Sequence, residues 1–518
     1  LYSDTRFKLV DLNQNNYPYT IVYEYEILHK HIMVYPKEYY ISALKTSVQN
    51  WNFTIKVPFS VGFDYRVFNS ELTPLEEKTK DFRVLKFNKK DIKPFKIEPL
   101  MPTINNVCPY IAFIPKKFEV EGYVGNMSTW KDYGLFLSNL NKEHNNLSIE
   151  TTSLIKNLTA NAKTTSEKID IVYKHVQDNM RYVSVQLGIG GWKSFDAAYV
   201  EKNKYGDCKA LTYYTKSLLE AIEIPSYPAL VECYDKNTNM SHPEDFSFPD
   251  FNHVILNIPS EDIWLECTQT DSPTNYLGSF TDNRSVLLIT EDGGKLTRTP
   301  VIPIEKNAVT RKVIIKLNEN GAATIVNSTL LTGPKQENIR YFETNYSQEE
   351  LEKWFLHSTS LPSCEIQKIA IQADSDRPKV LLDYEVLVRK YGSKSGKRMF
   401  VPVNCISRFD NVPDALEERH FPVVVNRGYV ESDEITLQLP EGYEVESIPN
   451  KEMALNSEFG EYTLKVTTSP AAGELVYTRE LKILPVDLPA ERYNDLRTFY
   501  QEIAKADKMK LVLVEKKT

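Results

Sequence analysis

Tyr205-Gly206-Asp207-Cys208-Lys209 is the stretch on which the reading of this sequence turns. Behind it, Leu211, Thr215, Leu218 and Ile222 recur at helical spacing, and Pro225 ends the run. The spacing predicts a helix from about Cys208 to Ile222, with the cysteine at its first position. A thiol there meets unpaired backbone N–H groups and the positive end of the helix dipole. Both favour thiolate, the nucleophilic form. Gly206 permits the tight approach that sets the sulfur at the helix start. Taken alone, such a cysteine is more often a packed structural residue, because a nucleophile also requires a base.

His253 opens a predicted strand, His253–Ile258, and Glu266 lies near the end of the next, Ile263–Cys267. A four-residue turn at Pro259–Asp262 would pair Ile255 with Glu266. His253 and Ile255 share a face of their strand, since strand side chains alternate. Glu266 is then a diagonal neighbour of His253, within reach for a long side chain. A carboxylate on an imidazole fixes the tautomer that general-base work needs. A turn one residue longer or shorter would point Glu266 away. Asp271 is a second candidate acid, beyond the strand.

Ahead of the cysteine, Thr164 and Glu167 form a capping-box pattern, and Ile169, Val172, Tyr173, Val176 and Met180 continue at helical spacing. Arg181-Tyr182-Val183 and Gly188-Ile189-Gly190-Gly191 follow. The order of cysteine helix, histidine strand and acid strand over about Thr164 to Thr268 resembles the transglutaminase-like superfamily, which shares its core with papain-type proteases. The arginine, glycine and Tyr205–Lys209 segments look like one bacterial subgroup, whose core lies between two flanking domains of unknown function. Val22-Tyr23-Glu24-Tyr25 resembles the N-terminal flank, which lacks its first part here. Leu439-Pro440-Glu441-Gly442-Tyr443 and Phe459-Gly460-Glu461-Tyr462 resemble the C-terminal flank.

The resemblance implies Cys208 as nucleophile, His253 as base and Glu266 as the orienting acid. That family usually carries Asp at the third position, in a Trp-x-Asp-x-Thr pattern. Glu is one methylene longer and keeps the charge. The family also uses an oxyanion donor upstream of the cysteine, for which Gln186 and Trp192 are the candidates; a backbone N–H near Cys208 would supply the other.

The remaining sequence frames this core. Of 518 residues, 42% are apolar and 25% charged, an ordinary globular balance. A length of this size suggests roughly three domains. The formal net charge of −8 disfavours phosphate backbones, so nucleic acid is not expected as a partner. Cys108, Cys208, Cys233, Cys267, Cys364 and Cys405 are too dispersed for a small disulfide scaffold. No CxxC pair, HExxH motif, P-loop or GxGxxG exists, so neither metal nor cofactor is expected. His242 has no evident partner. Asn-x-Ser/Thr triplets such as Asn52-Phe53-Thr54 occur at chance frequency. No apolar run is long enough to span a bilayer. Beginning at Leu1 without Met, the sequence reads as a mature or truncated chain, so its lack of a leader does not argue for the cytoplasm. The resemblance implies a periplasmic or exported protein.

The flanks read as β. Thr20–Leu28 alternates as Ile21, Tyr23, Tyr25 and Ile27, and Trp51–Val57 and Gly62–Val67 are further strand-like runs, the pattern of an antiparallel sandwich. After Pro300, Lys312–Leu317 and Ala322–Leu330 flank a hairpin signal, Asn318-Glu319-Asn320-Gly321. A helix carrying Tyr493, Leu496, Tyr500 and Ile503 and a strand, Lys510–Val514, come last. The expected fold class is α+β multidomain: a β-sandwich-like domain (1–125), a transglutaminase-like, papain-like α+β core (126–295) and a β-rich region (296–518), with a division of the last into 296–425 and 426–518 left open.

Two functions compete. One is a thiol enzyme that acts on peptide or protein amide bonds through an acyl-enzyme, with hydrolysis favoured over cross-linking. The other is a protein- or glycan-binding scaffold around a weak or inactive core, for which the Glu266 departure is the main support.

Overall fold

The computed structural model describes all residues except 1, 4, 5, 7, 13, 29–32, 42–44, 144, 234–241, 470–472, 517 and 518. The chain divides into two compact units: Leu1–Lys96 with Ile104–Thr299, and Ile97–Thr103 with Pro300–Thr518. The architecture is mixed α+β and rich in strands. Among the described residues no helix is long and apolar enough to cross a membrane.

The first unit begins with two three-stranded antiparallel sheets. One orders β1 (Val48–Pro58), β4 (Phe82–Ile92) and β3 (Leu75–Lys78); the other orders Glu38–Tyr39, β5 (Tyr110–Pro115) and β2 (Phe63–Phe68). Leu85, Phe87, Val57, Phe63, Ile111 and Phe113 from both sheets form one buried cluster. The strand predicted over Thr20–Leu28 is not formed. Residues 20–28 join no ladder, and Tyr23 and Tyr25 are about three-quarters exposed, at 73% and 74%. An alternating run becomes a strand only where a neighbour takes up its backbone groups and one of its faces.

Five antiparallel strands follow, in the order β8 (Ile263–Leu265), β7 (His253–Ile258), β6 (Tyr227–Val231), β9 (Ser285–Thr290) and β10 (Gly293–Arg298). Helix α1 (Trp130–Leu140) packs on β9 and β10. Gly134 and Gly294 allow this contact: a Cβ on Gly134 would fall 2.1 Å from the Gly294 Cα.

Helices α2 (Thr165–Asn179) and α3 (Cys208–Glu220) lie on the face of β7 and β8 that carries Leu256, Ile258, Ile263, Leu265 and Cys267. Thr164 caps α2 by accepting from the Glu167 N–H. The reciprocal bond reaches one residue further than a capping box, from the Lys163 N–H to Glu167 Oε2. The opposite face of the sheet carries Ala229, Val231, Ile255, Trp264 and Val286 in a separate cluster. This sheet therefore has helices on one side and its own small core on the other, and His253 begins one of its inner strands.

The second unit is built on an eight-stranded sheet. Its order is β13 (Cys364–Ala373), β14 (Lys379–Val388), β12 (Ala323–Thr332), β11 (Ala308–Leu317), β15 (Tyr429–Gln438), β18 (Glu474–Ile483), β17 (Gly460–Ser469) and β16 (Glu452–Ser457). The predicted hairpin joins β11 to β12, with Gly321 at φ 85°. Only β11 and β15 run parallel in this sheet. Helix α4 (Tyr493–Asp507) brings Asp507 to the fully buried Arg479, which also bonds Asp433. A buried guanidinium needs such partners to offset its desolvation.

The Cys208 end of α3 follows a parallel pair, Arg181-Tyr182 against Tyr205-Gly206. Here Gly206 is required sterically: a Cβ would lie 2.7 Å from the Ala210 Cβ, inside the buried first turn. Gly206→Ala should lower stability by about 1–3 kcal/mol through overpacking. Adding Ala210→Gly should recover part of that loss in a urea titration, despite the helix cost of glycine. A double variant no more stable than Gly206→Ala would refute the steric account.

Candidate active site

Three elements bring three side chains together. Helix α3 starts at Cys208, whose preceding residue Asp207 caps it by accepting from the Ala210 N–H at 2.9 Å. Strand β7 starts at His253. The β7–β8 ladder pairs Leu256 with Leu265, Asn257 with Trp264 and Ile258 with Ile263 across the four-residue turn 259–262. One further step of this register sets Glu266, just past β8, opposite Ile255. Glu266 therefore points to the side of His253.

The geometry closes there. His253 Nε2 lies 3.0 Å from both Glu266 oxygens. Glu266 is fully buried and His253 is 7% exposed. Oε1 of Glu266 also accepts from the Thr268 hydroxyl at 2.6 Å and the Thr268 N–H at 3.3 Å. Glu266 takes Nε2, and Cys208 is the other group that acts on the imidazole. Cys208 is 4% exposed. Phe280 meets the imidazole edge-on at 5.4 Å between ring centres.

Two ties fix the assembly. The Thr212 hydroxyl of α3 donates to the Val254 carbonyl at 3.2 Å, joining the cysteine helix to the histidine strand. The Tyr173 hydroxyl of α2 donates to the Glu266 carbonyl at 2.8 Å, and Gln177 of the same helix donates to the Gln269 and Ser272 carbonyls. The apolar face of α2 thus also carries the groups that anchor the acid.

The electrostatics follow from burial and pairing. Burial opposes a charged imidazole, but the Glu266 carboxylate and the Cys208 thiol outweigh it and hold His253 well above its ordinary value. Burial likewise opposes the Glu266 charge, and His253 and Thr268 outweigh it, so this carboxyl sits below its ordinary value. Burial pushes Cys108, Cys233, Cys364 and Cys405 up, and Cys267 up to about 12.

Gln186 lies in an exposed two-residue strand, and Trp192 is half-buried against the cluster that contains Trp130 and Phe246. Asp271 is half-buried; the carboxylate bonded to His253 is that of Glu266. His242, for which the sequence offered no partner, lies 3.1 Å from the Ser285 hydroxyl and packs on Phe251. Burial pushes it down to about 4, so it is a neutral packed residue. Thr268 and Tyr173 were missed as site residues. The Trp264-x-Glu266-x-Thr268 spacing marked Thr268, because a residue two beyond an acid can return a hydroxyl to it.

Family models match the flanks. A domain of unknown function with a solved structure (DUF3857) matches residues 1–96, and a second (DUF3858) matches residues 397–513. No curated protein matches the chain. A solved structure described as a putative protease from Parabacteroides distasonis aligns over 94% of this chain and 75% of its own, at 13% identity and a TM-score of 0.57. The two share a fold. A putative cysteine protease from Cytophaga hutchinsonii aligns over 45% of this chain and 71% of its own, at 13% identity, but its TM-score of 0.20 is too low to bear on the fold.

The paired shifts set a pH window. Glu266, depressed in the folded state, contributes stability that is complete above its ordinary value of 4.5 and is lost as pH falls through the folded value. His253, raised, contributes stability that is complete below 6.5 and is lost as pH rises through the folded value. The stability difference between the wild type and a His253→Gln/Glu266→Gln double variant should therefore be largest between about pH 4.5 and 6.5 and decline on both sides. A difference constant from pH 3 to 9 would contradict a buried ion pair.

Proposed function

We propose that this chain is a transglutaminase-like cysteine hydrolase of peptide or protein amide bonds, with Cys208 as nucleophile, His253 as proton carrier and Glu266 as the acid that orients it. The observation that carries the proposal is the buried His253–Glu266 pair, whose imidazole is also acted on by the buried Cys208. The shared fold with a protease-named structure supports it.

In this mechanism the Cys208 thiolate attacks the substrate carbonyl and the carbonyl oxygen takes the negative charge. First-turn N–H groups of α3 stabilise that oxygen, with Gln186 or Trp192 as the side-chain donor. His253 gives a proton to the leaving amine, and an acyl-enzyme remains. His253 then takes a proton from the incoming water as its oxygen adds to the thioester carbonyl; cleavage of the C–S bond releases the acid and restores the Cys208 thiolate beside a protonated His253. Glu266 keeps Nε2–H engaged throughout, so that Nδ1 faces the chemistry. The scaffold reading rested on Glu in place of Asp. With the Glu266 oxygens 3.0 Å from Nε2, the longer side chain is no obstacle to orienting His253.

Brief treatment with iodoacetamide at neutral pH, followed by peptide mapping, should modify Cys208 before the other five cysteines, all of which burial holds back. Incubation of a proteome-derived peptide mixture should then release new termini with the wild type and none with Cys208→Ala. Glu266→Gln should cut the rate by more than tenfold, and Glu266→Asp by much less. Stable incorporation of a labelled primary amine, without new termini, would replace hydrolysis by transamidation. An unreactive Cys208, or cleavage that survives Cys208→Ala, would defeat the proposal.

A further inference from the structure

The nucleophile is flanked in sequence by two charged residues, and both are buried. Asp207 is 2% exposed and Lys209 is 7% exposed. Lys209 Nζ lies 2.5 Å from Asp207 Oδ2, while Asp207 Oδ1 takes the Ala210 N–H. The cap carboxylate is thereby used on both oxygens.

Helix stability does not account for this lysine. A cation in the first turn opposes the positive end of the helix dipole, and withdrawing an ammonium from water costs more than exposing it. A threonine or serine cap could hold the Ala210 N–H with no buried charge to neutralise. Asp207 as cap puts a full negative charge one residue from Cys208, where it disfavours thiolate. Lys209 cancels that charge and leaves the helix N-terminus and His253 to act on the sulfur.

We propose that Lys209 is a positioning residue that acts through Asp207: the buried Asp207–Lys209 pair sets the charge balance beside Cys208 and so the pH range over which the thiol is nucleophilic. The inference rests on Cys208 being the nucleophile. Among the described residues, the other ionisable groups on this side are His253 from β7, with Glu266 behind it, and Cys233 beyond the end of β6, on which Arg284 also acts.

The test is a charge cycle read on Cys208 itself. The rate of carboxamidomethylation of Cys208 by iodoacetamide is measured against pH, by mass spectrometry of the Cys208 peptide, with thermal melting in parallel. Lys209→Met should move the midpoint up by about one pH unit, which slows alkylation about tenfold below the midpoint. Asp207→Asn, which keeps a cap oxygen, should move it down. The double variant should return close to the wild type, and Lys209→Arg should stay there. If Lys209→Met lowers the melting temperature but leaves the midpoint in place, the pair is only structural and the proposal fails. Should Lys209→Met not fold, an unmoved midpoint in Asp207→Asn overturns the proposal equally. A wild-type Cys208 no faster than the other five cysteines would instead defeat the proposed function, whatever the variants do.

Discussion

The contact between His253 Nε2 and both oxygens of Glu266 is the constraint to which the rest of the site answers. Two groups that would each be costly to bury alone are buried together. That arrangement tolerates little error. A one-residue slip in the β7–β8 register would send Glu266 to the other face, among the apolar side chains of α2 and α3, and leave the imidazole unpaired. The turn 259–262 must therefore be four residues, and Asp262 accepts a left-handed φ of 53° to make it so. Thr268 fills a remaining acceptor position on the carboxylate, and Tyr173 and Gln177 pin the chain that carries it.

From this pair the chemistry runs outward. In the proposed mechanism, a carboxylate that stays charged keeps the imidazole charged, and a charged imidazole favours thiolate in its partner. The helix N-terminus adds to this, and the bond from Thr212 to Val254 keeps the two elements in register with each other. Burial pushes the five remaining thiols up.

Much of this was legible in the sequence, for identifiable reasons. The Cys208 helix declared itself by spacing and by Pro225. The acid followed from strand parity and turn length, because a period of two leaves only two outcomes. What escaped notice depended on neighbours distant in sequence. Residues 20–28 alternate as a strand does, yet alternation cannot supply a ladder partner, and the described chain gives them none. His242 finds Ser285 across 43 positions, and Tyr173, read as one more apolar contact of a helix face, uses its hydroxyl on the Glu266 carbonyl, 93 positions away. The burial of Lys209 was equally hidden, since a lysine near a helix start reads as solvated. The flanks were read as β from local alternation, but their strand orders, with β15 entering beside β11 across more than a hundred residues, are long-range facts.

The most direct measurement is the protonation state of His253, read from the ring nitrogens by ¹⁵N NMR of histidine-labelled protein, with the signal assigned by its loss in His253→Gln. The account predicts an imidazolium at pH 7, both nitrogens protonated, with a strongly hydrogen-bonded Nε2–H that disappears in Glu266→Gln. A neutral ring at pH 7 that titrates near its ordinary value of 6.5, unaffected by the loss of Glu266, would contradict it.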